Sequence, residues 1–108
     1  MRMCVDYCDM NAKTEKDFFH YHGLTKCGRQ LFKAKYFASL DLIMGYHQVE
    51  VESEIDSRRP SYHRGLYVYN VMLFGLCNAP ATFQRLMERV LSPLIDIGVL
   101  VYLDDVLI

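Results

Sequence analysis

The segment VLVYLDDVLI, residues 99–108, constrains the fold of this chain more than any other stretch. Eight of its ten residues are apolar, and the other two are the adjacent aspartates Asp104 and Asp105. An apolar run of this length is typical of a buried strand. A turn at the two aspartates divides the run into two short antiparallel strands. The sequence therefore predicts a β-hairpin that carries two carboxylates at its tip.

Two interpretations of the paired aspartates follow from the residues alone. Aspartate tolerates turn geometry, so the pair is compatible with a plain hairpin turn, although Asp-Gly or Asn-Gly serves that purpose better. The alternative is a divalent cation such as Mg²⁺, whose charge offsets the cost of holding carboxylates against an apolar sheet. A third carboxylate for such a site is Asp41 in SLDLIMGYHQV, which can also be read as an aspartate that merely ends a strand.

The remaining patterns predict a helix and further strands. The helix follows Asn78, a good N-cap, and has Pro80 in its first turn. Its apolar residues recur at helical spacing and predict a core face: Phe83, Leu86, Met87, Val90, Leu91, Leu94 and Ile95. Polar residues are assigned to the opposite face: Gln84, Arg85, Glu88 and Arg89. Pro93 is predicted to interrupt the helix near Ser92.

Strands are predicted at residues 36–42, 47–52 and 66–74, in addition to the hairpin. The order of elements favours an α+β fold, with an antiparallel sheet and helices packed on one face.

Length and composition narrow the class of protein. A chain of 108 residues makes at most one small domain, and its apolar fraction of 52% is typical of a globular protein. The net charge of −1 gives no overall sign of nucleic-acid binding. The sequence has neither the apolar core of a signal peptide nor a run long enough to span a membrane. We therefore expect an intracellular protein, in a cytoplasmic particle or the nucleus, that is not secreted and has reduced cysteines.

A zinc-binding site is the more specific of two interpretations of the cysteines. Cys4 and Cys8 precede His20 and His22 in the order of a zinc finger, but the two histidines are closer together than such sites usually place them. Small buried thiols and partly exposed histidines are the simpler alternative.

Four stretches in this order resemble the reverse transcriptases of long-terminal-repeat retrotransposons, in particular the Gypsy/Ty3-like branch. They extend over nearly the whole chain: RMCVDY with Asn11 after it, AKYFASLDL running into GYHQV, FGLCNAPATFQRLM, and VYLDDVLI. The resemblance implies that residues 1–108 are part of the fingers and palm of a right-hand polymerase, without the thumb, connection and RNase H segments. It also implies that the chain is part of a retrotransposon polyprotein, and no membrane partner is expected.

The resemblance further implies RNA-directed DNA polymerase chemistry. Asp41, Asp104 and Asp105 match the carboxylates that bind two Mg²⁺ ions, for which Mn²⁺ can substitute, with Asp105 contributing less than the other two. The implied reaction transfers a dNMP from a dNTP to the 3′-hydroxyl of a primer on an RNA or DNA template.

Other positions match residues that handle the substrates of this family. Arg2 matches a cation on the triphosphate, and Tyr46 an aromatic that packs under the sugar and excludes a 2′-hydroxyl. Phe74 and Gly75 match the segment under the nucleotide and template. Pro80 opens the helix behind that segment, and Tyr102 matches the support of the turn that carries Asp104. Read without the family, Tyr46 and Phe74 are ordinary core aromatics and Arg2 is a frayed terminal residue.

Several positions depart from the family pattern. They include Cys8, where an arginine is expected, and Leu73, where a proline is expected. The others are His20, His22, Cys27-Gly28, Ile43-Met44 and the segment SRRPSYHRG. The carboxylates persist while their surroundings change, which is typical of an old transposon copy. We therefore expect no processive polymerase activity from these 108 residues alone. The alternative function is a non-catalytic remnant that binds nucleic acid or protein through Arg58, Arg59 and Arg64.

Overall fold

The computed structural model describes residues 5–19, 32, 34–51, 69–95 and 97–108. Its helices are α1 (Cys8–Lys13), α2 (Ala79–Val90) and α3 (Ser92–Ile95), with one 3-10 helix at Gly45–Gln48. Its strands are β1 (Ser39–Asp41), β2 (Leu100–Tyr102) and β3 (Asp105–Leu107). The chain forms two units. The first comprises Met1–Lys16 and Met44–Ala79, and the second comprises Asp17–Ile43 and Pro80–Ile108.

The sheet belongs to the second unit and contains the predicted hairpin. Strand β3 lies in the centre and pairs antiparallel with both β1 and β2. The ladder extends one residue beyond β1, because Ala38 and Ile108 exchange both backbone hydrogen bonds, at 2.9 and 2.8 Å. The strand predicted at residues 36–42 is thus present but shorter. The α+β prediction is confirmed by this antiparallel sheet and the helices.

Helix α2 begins where the sequence predicts. Asn78 precedes its first residue, and Pro80 lies in the first turn, where its missing N–H is not needed. The predicted interruption at Pro93 is also present, because α2 ends at Val90 and α3 begins at Ser92. The N–H of Leu91 still donates to the carbonyl of Met87 at 2.9 Å. A proline cannot supply the next helical hydrogen bond, and the helix restarts.

The core face of α2 differs from the one that the apolar spacing predicts. Phe83 and Met87 are buried as expected, but Leu86 and Val90 are exposed, the latter by 62%. Gln84, which the pattern places on the polar face, is 1% exposed. The helix is rotated so that a polar residue enters the core, and the cause is a set of hydrogen bonds to the hairpin described below.

The described part of the first unit contains less strand structure than the sequence predicts for residues 47–51. Met44 adopts a left-handed conformation (φ 54°), and the 3-10 helix Gly45–Gln48 follows it at once. This turn replaces the first part of the strand predicted at residues 47–52, so that part of the prediction is wrong. Among the described residues of the two predicted strands, an isolated antiparallel bridge joins Glu50 and Val71. Residues 52 and 66–68, which complete those predictions, lie outside the described residues.

In the residues that the structure describes, no helix is long and apolar enough to cross a membrane.

Candidate active site

Asp41 and Asp105 are direct partners across the sheet. Asp41 ends β1, Asp105 begins β3, and the register pairs their Cα atoms. Because Ala38 and Ile108 form a hydrogen-bonded pair, the alternation of an antiparallel ladder makes Asp41 and Asp105 a non-hydrogen-bonded pair. Side chains of such a pair lie on one face and approach closely, and like charges there are destabilising. The fold therefore holds two carboxylates together at an electrostatic cost.

Asp104 lies in the turn of the hairpin. Tyr102 pairs with Asp105, so the two loop residues are Leu103 and Asp104 rather than the predicted Asp104 and Asp105. The difference arises because Asp105 is used as the first residue of β3. The carbonyl of Asp104 accepts the N–H of Leu42 at 3.0 Å, which fixes the turn against the end of β1. All three aspartates therefore lie at one end of the sheet.

Leu103 has a φ of 53°, a left-handed conformation that β-hairpins usually reserve for glycine at this position. For a leucine this conformation is strained by roughly 1–2 kcal/mol. The turn that carries Asp104 is therefore strained at Leu103.

The donor set is chemically suited to a hard divalent cation. Carboxylate oxygens are the ligands that Mg²⁺ and Mn²⁺ prefer, and a cation would offset the repulsion between Asp41 and Asp105. Oδ1 of Asp104 is buried and accepts no hydrogen bond, although the residue makes other interactions. Within the described residues, no three His, Cys, Asp or Glu side chains converge as they stand into a group that could hold an ion. The three carboxylates are thus suitable ligands for a divalent cation, and the backbone places them at one end of the sheet. Their side chains do not converge into a coordination site in the described residues.

Gln84 joins helix α2 to the hairpin. Its Oε1 accepts the N–H of Leu103 at 2.7 Å, and its Nε2 donates to the carbonyl of Val101 at 3.0 Å. Nε2 also donates to Oε1 of Glu88, one helical turn away, at 3.0 Å. The sequence analysis missed this residue. The available signal was its spacing, because Gln84 lies four residues after Pro80 and three before Met87, within the arc that the helix buries.

The aromatic candidates belong to the first unit. Tyr46 is buried, and its ring packs on Phe74 with centroids 4.8 Å apart and planes tilted by 33°. His47 meets Phe74 edge-on at 5.5 Å. Tyr46 and Phe74, which are far apart in sequence, are therefore brought together. This packing is compatible both with core aromatics and with a platform for a sugar.

Asn11 fixes the loop that follows Phe74. Its Nδ2 donates to the carbonyl of Gly75 at 2.7 Å, and its Oδ1 accepts the N–H of Cys77 at 2.9 Å. Gly75 has a φ of 100°, which favours glycine, and a Cβ there would lie 3.5 Å from both the Tyr7 ring and the carbonyl of Val5. The sequence marked Asn11 as part of a motif without a role, and the structure gives it one.

Pro80 and Tyr102 lie in the second unit. Pro80 is the second residue of α2 and is partly buried. Tyr102 is the last residue of β2, is 49% exposed and pairs with Asp105.

Other predicted residues lie outside the described part of the chain. These are Arg2, Cys4, His20, His22, Cys27, Gly28, Arg58, Arg59 and Arg64. Of the zinc candidates only Cys8 is described, and it is exposed. A hydrogen bond to the Asp6 carboxylate, together with the charge of that carboxylate, raises the pKa of the Cys8 thiol. A neighbour that opposes thiolate formation is unfavourable for a zinc ligand.

Comparison with known proteins agrees with the motifs. The family model described as reverse transcriptase (RNA-dependent DNA polymerase) matches residues 1–108. The chain is 42% identical over 108 residues to the Retrovirus-related Pol polyprotein from transposon 297 of Drosophila melanogaster, covering 99% of this chain and 10% of that protein. It is 37% identical over 109 residues to an RNA-directed DNA polymerase homolog of Oenothera berteroana, covering 100% of this chain and 77% of that protein.

One solved structure extends the comparison to the fold. Prototype Foamy Virus Protease-Reverse Transcriptase matches with a TM-score of 0.75 and 22% identity, over 99% of this chain and 14% of that chain. At this identity the match concerns the fold alone. The chain thus spans about a tenth of the Pol polyprotein from transposon 297 and about a seventh of the viral chain.

Proposed function

We propose that this chain, which belongs to the reverse transcriptase (RNA-dependent DNA polymerase) family, supplies the catalytic carboxylates of an RNA-directed DNA polymerase. The observation that carries the proposal is the pairing of Asp41 with Asp105, next to the turn that carries Asp104. A fold that holds like charges together at one end of a sheet has a use for them, and cation binding is the simplest one.

The proposed reaction is template-directed transfer of a dNMP to the 3′-hydroxyl of a primer. Asp41 and Asp104 hold Mg²⁺ most directly, and Asp105 contributes to the negative charge of the site. When bound, two such ions activate the attacking hydroxyl and stabilise the charge on the departing pyrophosphate. The chain itself contributes position, because the strained hairpin and the end of β1 fix the three carboxylates.

Residues of the first unit are proposed to bind the substrates. Tyr46 lies under the sugar of the dNTP, supported by its packing on Phe74. Gly75 allows the backbone to approach the nucleotide and template, and Asn11 holds that backbone in place. Arg2 is proposed to bind the triphosphate, as a guanidinium suits phosphate oxygens. In the second unit, Pro80 lies in the first turn of α2 and Tyr102 supports the turn of the hairpin.

The substrates and partners are proposed on the same basis. They are dNTPs, a primer on an RNA or DNA template, and the remainder of a Pol-type polyprotein with thumb and RNase H segments. Relatives named Pol polyproteins, of which this chain spans about a tenth, support the last of these. Residues 1–108 are proposed to form part of one fingers and palm domain. Processive synthesis is proposed for the longer protein that contains it.

Nucleotide binding tests the proposal. Titration of a fluorescent dNTP analogue into the chain with Mg²⁺ should give saturable binding that EDTA and Asp104→Asn both abolish. The matched control is Asp9→Asn, which changes an exposed aspartate of α1 and should leave binding intact. Nucleotide or nucleic-acid binding that persists in EDTA and falls when Arg58 and Arg59 are neutralised would instead support the non-catalytic remnant.

A further inference from the structure

The turn that carries Asp104 depends on a group outside the motif. Leu103 is held in a left-handed conformation, and nothing in its own chemistry favours that state. Its N–H is satisfied by the side chain of Gln84, at 2.7 Å. A strained conformation persists only when its surroundings determine it. The Gln84 side chain holds the Leu103 N–H itself, while the Leu42–Asp104 hydrogen bond holds the other residue of the turn.

The orientation of the Gln84 amide is also determined. The Val101 carbonyl and the Glu88 carboxylate both accept hydrogen bonds, and only the NH₂ end of the amide can donate to them. With Nε2 engaged twice, Oε1 is directed to the Leu103 N–H. Every polar atom of the buried amide therefore has a partner, and reversing the amide would oppose acceptor to acceptor and donor to donor.

We propose that Gln84 is a positioning residue for the hairpin, and that Glu88 and the Val101 carbonyl together fix the direction of its amide. The proposed role requires no contact between Gln84 and substrate or metal. Gln84 holds the backbone at Leu103 so that Asp104 and Asp105 are presented beside Asp41. The consequence for metal binding depends on the proposed function, whereas the consequence for the Leu103 backbone does not.

The first test measures amide hydrogen exchange in the 108-residue chain by NMR. Gln84→Met keeps the length of the side chain and removes its hydrogen bonds. We expect exchange at the Leu103 amide to accelerate at least about tenfold, since a protecting hydrogen bond is lost. The Leu91 amide, bonded to the carbonyl of Met87 within the helix, is the internal reference and should not change.

Glu88→Ala provides a second variant in case Gln84→Met fails to fold. Glu88 is only partly buried and alanine favours the helix, so this variant should fold. It leaves the hydrogen bonds of Gln84 to Val101 and Leu103 in place and removes one of the two acceptors of Nε2, so we expect a smaller acceleration at Leu103. Unchanged Leu103 exchange in every variant that folds would overturn the proposal.

The second test separates positioning from general stability through pH. Gln84→Glu places a carboxyl against Glu88 of its own helix and against the turn that carries Asp104. Burial and the neighbouring carboxylates raise the pKa of the new carboxyl group. As the pH falls from about 8 to about 6, this group is protonated, and its O–H can again donate a hydrogen bond as the Gln84 amide does. The Mn²⁺ affinity of each variant is compared with that of the wild type at the same pH. The affinity of Gln84→Glu should approach the wild-type value as the pH falls, whereas Gln84→Met should bind Mn²⁺ roughly tenfold more weakly than the wild type at every pH.

The outcomes distinguish the two proposals. Equal pH dependence of both deficits would overturn the hydrogen-bonding role of Gln84. Mn²⁺ binding by the wild type that Asp104→Asn does not weaken would overturn the proposed function instead, and Leu103 exchange would still decide the role of Gln84.

Discussion

Two aspartates of like charge, Asp41 and Asp105, face each other across the sheet, and their pairing is unfavourable without a cation. In EDTA, Asp105→Asn should therefore increase the free energy of unfolding by roughly 0.2–1 kcal/mol. Urea denaturation of the chain measures this change. With Mn²⁺ present the order should reverse, because the ion stabilises the folded wild type by mass action. A variant that is less stable than wild type in EDTA would contradict the account.

A second prediction at the residue scale concerns Cys8. The Asp6 carboxylate raises the pKa of this thiol, so less thiolate is present at neutral pH than for an ordinary cysteine. Asp6→Asn should lower that pKa and speed the alkylation of Cys8 by iodoacetamide, with the rate profile shifting to lower pH. Peptide mapping by mass spectrometry follows Cys8, with Cys77 as the internal control. No shift of the Cys8 profile would show that Asp6 does not act on it.

The buried face of helix α2 differs from the face that the apolar pattern predicts, so the two descriptions predict different effects of mutating Val90. Met87 is buried and Val90 is 62% exposed, although the spacing places both on the core face. Met87→Ala should reduce the free energy of unfolding by about 2–5 kcal/mol. Val90→Ala should change it by no more than about 0.5 kcal/mol, since alanine also favours the helix. Similar losses in both variants would mean that the helix packs as the sequence pattern suggests.

The loop after Phe74 depends on Asn11 in the same way that the hairpin depends on Gln84. Asn11→Ala removes two hydrogen bonds to the backbone, to Gly75 and Cys77, and should cost about 1–2 kcal/mol. Asn11→Asp keeps the acceptor for Cys77 and loses the donor, so about half of that loss is expected. Urea midpoints rank the three proteins. Equal stability of Asn11→Ala and wild type would exclude the proposed support of this loop.

These elements show what the sequence could and could not predict. The start of α2, its interruption and the hairpin follow from local signals at Asn78, Pro80, Pro93 and the apolar run, and all are present. The strand predicted from His47 fails because Met44 turns the chain into a 3-10 helix first. Gln84 was missed because it is polar, and the apolar pattern assigns polar residues to the exposed face. Its partners, the backbone groups of Val101 and Leu103, are far away in sequence, so its position in the helix gave the local signal but not the reason for its burial.

At the scale of the whole molecule, each unit is assembled from two separated segments of the chain. The three aspartates belong to the second unit, while Tyr46, Phe74 and Gly75 belong to the first. The carboxylates were predictable because their residue types carry the chemistry directly. Their pairing was not, because Asp41 and Asp105 pair between β1 and β3, which are distant in sequence, and the sequence assigned Asp105 to the turn and not to β3.

In the proposed site, Asp41, Asp104 and Asp105 together bind a divalent cation. A titration with Mn²⁺, followed by NMR, tests this binding at the level of single residues. The paramagnetic ion broadens the signals of nearby amides. Signals from residues 40–42 and 103–106 should broaden first in the wild type, and both Asp41→Asn and Asp104→Asn should remove the effect, while Asp9→Asn should not. Broadening that begins elsewhere, or that persists unchanged in Asp41→Asn and Asp104→Asn, would contradict the claim.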